Sequence, residues 1–189
     1  KCAYCETLVD RRSSSCIDHY RPRRNTLGQD GETYLDHYWW LAFKWDNLLF
    51  SCPECSRMRG NRFPISGPRA EILAETESLN AELPLLLHPC VDWPEDHLDF
   101  QPDGPVMPLT ERGKISVEMM GLNRPGLIEQ RRAVASQLQA ELGRESELKT
   151  AALPQLLRTW LAPELPFLGL RRAIIRRWLE NRLKPSEGD

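Results

Sequence analysis

Two Cys-x-x-Cys pairs, Cys2 with Cys5 and Cys52 with Cys55, stand 46 residues apart and constrain this chain more than any other feature. Each pair places two soft thiolates on one tight knuckle, and two knuckles together supply the four ligands of a tetrahedral zinc site. A redox dithiol would need no second pair. Because four protein ligands leave no open position, the ion is expected to be structural, tying residue 2 to residue 55 and fixing what is strung between them. The absence of a secretory pattern points to a reducing, cytoplasmic setting, where cysteines serve as metal ligands or buried thiols and seldom as disulfides. Cys16 and Cys90, left over from the pairing, are expected as small buried apolar side chains.

The rest of the chain divides by composition. No apolar run approaches the roughly eighteen residues that a membrane helix requires, so no membrane association is expected. The chain opens at Lys1, directly on the cysteine motif, and further residues are expected upstream. Residues 1–70 carry eleven Lys/Arg against eight Asp/Glu, a balance of +3, whereas residues 71–189 carry fourteen against nineteen, a balance of −5. The acids concentrate in 71–110, which has nine of them and no Lys or Arg. A basic N-terminal half suits a polyanion, although a solvated surface explains so small an excess equally well.

Residues 15–20 alternate as a short strand, Arg21-Pro22-Arg23 ends it, and 25–31 reads as a loop. A helix is expected from Cys55 or Ser56 to Gly60, a natural C-cap. Residues 70–108, acidic and rich in Pro, read as an extended connector along a surface. Apolar spacings of three and four then mark helices over 110–122, 126–142, 153–161 and 170–183. In the last of these, Leu170, Ile174, Trp178 and Leu179 form a stripe, and Arg171, Arg172, Arg176 and Arg177 crowd the other faces.

Between the knuckles lie Asp18-His19, then Asn47, and Ser56 directly after the last cysteine. In this order and spacing the chain resembles the HNH nuclease family, whose zinc-bearing members place an acid-His pair, an Asn and a final His or Asn against interleaved cysteine knuckles. The likeness is closest to the HNH component of Septu-type and retron-associated antiphage systems, PtuB. It is carried by residues 18–23, 40–49, 59–64 and 109–127.

The resemblance implies an α+β chain with three parts: a zinc-stapled ββα-metal module over 1–69, the acidic connector over 70–109, and a helical partner-binding region over 110–189. His19 would end a strand, Asn47 would lie in the returning loop and Ser56 on the helix. The implied activity is metal-dependent hydrolysis of phosphodiester bonds in invading DNA, alongside a PtuA-like ATPase partner. Imidazole, with an unperturbed pKa of about 6.5, suits a base that activates water near neutral pH, which assigns that role to His19. Asp18 would be the carboxylate ligand of a catalytic Mg²⁺ or Mn²⁺, and Asn47 would hold the loop and orient His19.

Ser56 departs from the family pattern, since a neutral hydroxyl is a poor ligand there. Water could complete the shell, Asn61 could substitute, or the site could be weakened. Arg21, Arg23, Arg24, Arg57, Arg59 and Arg62 flank the site as phosphate contacts should. Trp39, Trp40, Phe43 and Trp45 are expected to pack round the zinc core, and His37, His88 and His97 to be structural. Two other functions stay open: cleavage of tRNA or another structured RNA, and a zinc-stapled nucleic-acid-binding module without catalysis.

Overall fold

The cysteine knuckles bracket a pair of short strands and lead into a short helix. The computed structural model describes residues 1–10, 16–144 and 153–183. Strand β1 (Cys16–His19) pairs antiparallel with β4 (Leu48–Ser51), with His19 opposite Leu48 and Cys16 opposite Ser51. The expected strand residue Ser15 lies outside the described residues. The excursion between β1 and β4 holds a two-residue ladder, β2 (Thr26–Leu27) with β3 (Thr33–Tyr34), where sequence suggested only loop. Two 3-10 turns, Trp39–Leu41 and Trp45–Asn47, complete it.

Helix α1 (Pro53–Arg59) follows β4 and packs on β1. It starts two residues before the expected position because Cys52 serves as N-cap, its sulfur accepting the Cys55 N–H at 3.4 Å, and Pro53 occupies the first turn, where a missing N–H costs nothing. Gly60 ends it at φ 58°, a left-handed conformation that suits glycine.

The acidic segment is not an extended surface connector. It contains α2 (Thr76–Ala81) and a hairpin of β5 (Leu98–Phe100) with β6 (Val106–Pro108), and it buries Glu82, Leu86, Leu87, Leu98, Phe100 and Val106. Four of its nine acids meet arginines from both flanking parts, while Glu71, Glu75, Glu77, Asp96 and Asp103 are exposed. Glu82 meets Arg21 at 2.9 Å, Asp92 meets Arg112 at 2.6 Å, Glu95 meets Arg172 at 3.1 Å, and Asp99 meets Arg177. Part of the charge asymmetry along the chain is therefore neutralised by ion pairs within the molecule.

Helix α3 (Glu111–Met119) starts where Thr110 Oγ1 accepts the Gly113 N–H. Helix α4 (Pro125–Arg144) packs against α6 (Leu168–Leu183), burying Ala135, Leu138 and Leu142 on one side and Leu170, Ala173 and Ile174 on the other. Helix α5 (Leu153–Trp160) brings Trp160 to Trp178 at 6.3 Å between ring centroids. Among the described residues no helix is long and apolar enough to cross a membrane.

Candidate functional site

Sequence spacing brought the four cysteines together on paper, and the fold does so in space. Their sulfurs all lie within 4.8 Å of one another, and each residue is buried. A tetrahedral ion with Zn–S bonds of about 2.3 Å requires sulfurs about 3.8 Å apart, and Cys5 and Cys52 Sγ stand 3.8 Å apart. The cluster could hold zinc with a closed, all-sulfur shell.

Four thiolates round one divalent ion leave a net negative charge, and the fold supplies the counter-charge. The Arg124 guanidinium donates to Cys55 Sγ at 3.7 Å, Cys5 Sγ at 3.8 Å and Cys52 Sγ at 3.9 Å, and its Nε reaches Glu54 at 2.8 Å. The neighbouring thiols raise its pKa in spite of burial, which opposes them. Arg124 precedes α4 and is 69 residues from Cys55, so no local pattern marks it in the sequence.

His19 closes β1 half-buried, with its Nε2 3.0 Å from the Ala42 carbonyl oxygen. A carbonyl only accepts, so Nε2 is assigned as the donor of this bond, an assignment that in the neutral ring leaves the lone pair on Nδ1. Asn47 bonds the main chain on both sides of this arrangement. Its Oδ1 accepts the Arg21 N–H at 2.7 Å, and its Nδ2 donates to the carbonyls of Arg21 at 3.0 Å and Leu41 at 3.1 Å. Leu41 adjoins Ala42, whose carbonyl meets the His19 ring, so the Asn47 contacts lie one residue from that bond. Ser56 sits half-exposed on α1, and Asn61 is exposed just past its end.

Asp18, expected as the ligand of a divalent cation, is held by donors of the protein itself. Its Oδ2 accepts the Tyr4 hydroxyl at 2.6 Å and the Arg59 Nη1 at 2.6 Å, and both Asp18 and Arg59 are buried. Arg59 also donates to the carbonyls of His19, at 2.6 Å, and Tyr20. The charge of this carboxylate is thus balanced by a guanidinium, and its Oδ2 is committed to two donors. Among the described residues the four cysteines are the group of three or more His, Cys, Asp or Glu with converging ligand atoms.

The arginines divide likewise. Arg23, Arg24 and Arg57 are exposed, as a phosphate contact requires. Arg59, 1 % exposed, is not such a contact. Arg21 is held by Glu82 and the Leu79 carbonyl, and Arg62 by the carbonyls of Met58, Arg59 and Met119. These three were expected on the surface, but each finds acceptors in the fold that offset the desolvation of its charge.

Three of the four aromatics expected in the zinc core are instead exposed: Trp39 by 52 %, Phe43 by 94 % and Trp45 by 85 %. Cys90 is exposed too, while Cys16 is half-buried with its sulfur 3.5 Å from the Ser51 carbonyl. His88 lies 4.2 Å from the Tyr20 ring, and His97 Nδ1 meets Thr110 Oγ1 at 2.8 Å. His37 stacks edge-on against Tyr38.

No family model matches the chain. It is 38% identical over 181 residues to the Septu protein PtuA of Bacillus mycoides (strain KBAB4), an alignment covering 95% of this chain and 25% of that protein. It is also 38% identical over 144 residues to the Septu protein PtuB of the same strain, covering 74% of this chain and 48% of that protein. The chain thus spans between a quarter and about half the length of these curated relatives, and what it shares with them is homology to Septu proteins.

Proposed function

We propose that this chain is a nuclease component of a Septu-type antiphage defence system, hydrolysing phosphodiester bonds of invading DNA with His19 as general base. The observation that carries this reading is the hydrogen bond between His19 Nε2 and the Ala42 carbonyl. With Nε2–H committed to the Ala42 carbonyl, Nδ1 presents its lone pair, which is what a base needs to take a proton from water. The water oxygen bonds to phosphorus and its proton passes to Nδ1, while the bond to one ester oxygen of the phosphodiester breaks with its electron pair on that oxygen, which takes a proton from solvent. Exposed Arg23 and Arg24, a few residues on, are suited to phosphate oxygens.

The pairing of β1 with β4 and the packing of α1 on β1 support reading the module as the ββα core of the HNH family, with the cysteine cluster as its structural zinc staple. The likeness to two Septu proteins supports the defence role and a PtuA-like ATPase partner, for which the helical region over residues 110–183 is the proposed platform.

One observation favours a second substrate. Phe43 and Trp45 flank the segment bonded to His19 and are almost fully exposed. Such rings can stack on unpaired bases, as in the loops of tRNA or another structured RNA.

Incubation of the zinc-loaded full chain with plasmid DNA and with tRNA, alone and with its ATPase partner, tests both. Wild type is expected to cleave one of them, and His19→Ala to abolish cleavage at unchanged zinc content. Undiminished hydrolysis by His19→Ala would remove this residue from the mechanism.

A further inference from the structure

We infer that Asp18 is a positioning residue clamped by Arg59 and Tyr4, and not a ligand of a divalent cation: the positive charge beside this carboxylate comes from the protein itself. A cation ligand directs its lone pairs to a point shared with other hard donors, and Mg²⁺ demands near-octahedral oxygen coordination. Asp18 instead spends one oxygen on two donors, Tyr4 Oη and Arg59 Nη1, each at 2.6 Å. The residue is 8 % exposed and Arg59 1 %.

Arg59 is not a side chain that has drifted into an open site. It bonds three successive residues, the Asp18 carboxylate and the carbonyls of His19 and Tyr20, so its removal would break all three contacts. Tyr4 is equally committed, its hydroxyl donating to the same Asp18 oxygen at 2.6 Å.

The origin of the two donors gives the clamp its purpose. Tyr4 lies within the first knuckle, between Cys2 and Cys5, and Arg59 lies on α1, four residues past Cys55 in the second. Both halves of the cysteine staple therefore converge on Asp18, and through it set the end of β1 from which His19 projects. The assignment of Asp18 stands on these contacts, while its consequence for catalysis rests on the reading of His19 as a base.

The test separates the two. Zinc-loaded full-length protein is titrated with Mn²⁺, and the free aquo ion is followed by electron paramagnetic resonance. Wild type and Asp18→Asn are expected to give the same curve, and Arg59→Lys, which keeps the charge, to match them. Arg59→Met, which uncovers the carboxylate, is expected to raise Mn²⁺ affinity about tenfold or more. A stoichiometric Mn²⁺ site in wild type that Asp18→Asn removes overturns the inference, and it does so whether or not any substrate is cleaved. On a substrate that wild type does hydrolyse, Asp18→Asn, which keeps an acceptor oxygen, should retain about tenfold more kcat than Asp18→Ala at equal zinc content. Equal losses in the two variants would contradict a positioning role.

Discussion

The cysteine-stapled part and the helical part of this molecule are held together in different ways. Around His19 the regular structure is slight: β1 and β4 have four residues each, β2 and β3 two each, and α1 seven. Elements this short cannot stand alone, and what holds them is a set of discrete polar clamps. These are the cysteine cluster, Arg59 on Asp18, Arg21 on Glu82, and Asn47 on the main chain. In contrast, α4 and α6 run for 20 and 16 residues and meet through a distributed apolar seam. The clamped part should therefore fail sharply at single residues, while the seam should degrade by degrees.

The largest effect expected is loss of the cluster. Structural zinc sites in small domains contribute about 10–16 kcal/mol of apparent binding free energy that is also folding free energy. Cys52→Ser should abolish stoichiometric zinc, read by mass spectrometry, and melt the surroundings of Trp39, Trp40 and Trp45, read by fluorescence. A chain that keeps its native spectrum without zinc would erase the contrast between the two parts.

Next comes Arg59→Ala, which leaves the buried Asp18 carboxylate without its counter-charge. Breaking one partner of such a pair costs about 3–5 kcal/mol, measurable as a lowered midpoint in urea unfolding. A loss under about 1 kcal/mol would be typical of an exposed pair and would mean that the clamp carries little.

In the seam, Leu138→Ala is expected to cost about 3 kcal/mol by lost transfer and residual cavity, without altering zinc content. Zinc release from that variant would show that the two parts unfold as one. Arg124→Ala probes a direct link between them at the cluster. Hydrogen bonds to charged groups contribute about 1.5–3 kcal/mol, so transfer of zinc to a chromogenic chelator should quicken by roughly tenfold or more. Unchanged release would leave Arg124 as mere packing.

The smallest effect concerns pH. Burial lowers the pKa of His88, so the fold favours its neutral form. Above the unfolded imidazole pKa of about 6.5 the group is neutral in both states and costs nothing. As pH falls below that value the unfolded chain takes the proton first, and stability declines. His88→Phe, which keeps a ring against Tyr20, should therefore flatten the stability profile between pH 7.5 and 5.5. An unaltered slope would assign the acid sensitivity elsewhere.

Much of the local structure was legible from residue order. The family resemblance implied that His19 ends a strand and that Asn47 lies in the returning loop, while the cysteine spacing announced the cluster and helical periodicity located α3, α4, α5 and α6 to within a few residues. The last two are short-range properties: a knuckle needs two cysteines three apart, and a helix face needs apolar residues three and four apart. The partners of the charged residues were not legible. Arg21, Arg59 and Arg62 looked like a phosphate-binding surface and proved to be internal bonds, and the acidic segment looked like a solvated arm and proved to hold counter-ions for arginines as distant as Arg172 and Arg177. Glu95 and Arg172 are 77 residues apart, and nothing in either one's neighbourhood encodes the other. Composition and spacing determined which elements form and which cysteines converge. Only the path of the folded chain decided which charges meet, because a charge takes whatever counter-charge the fold brings within hydrogen-bonding reach.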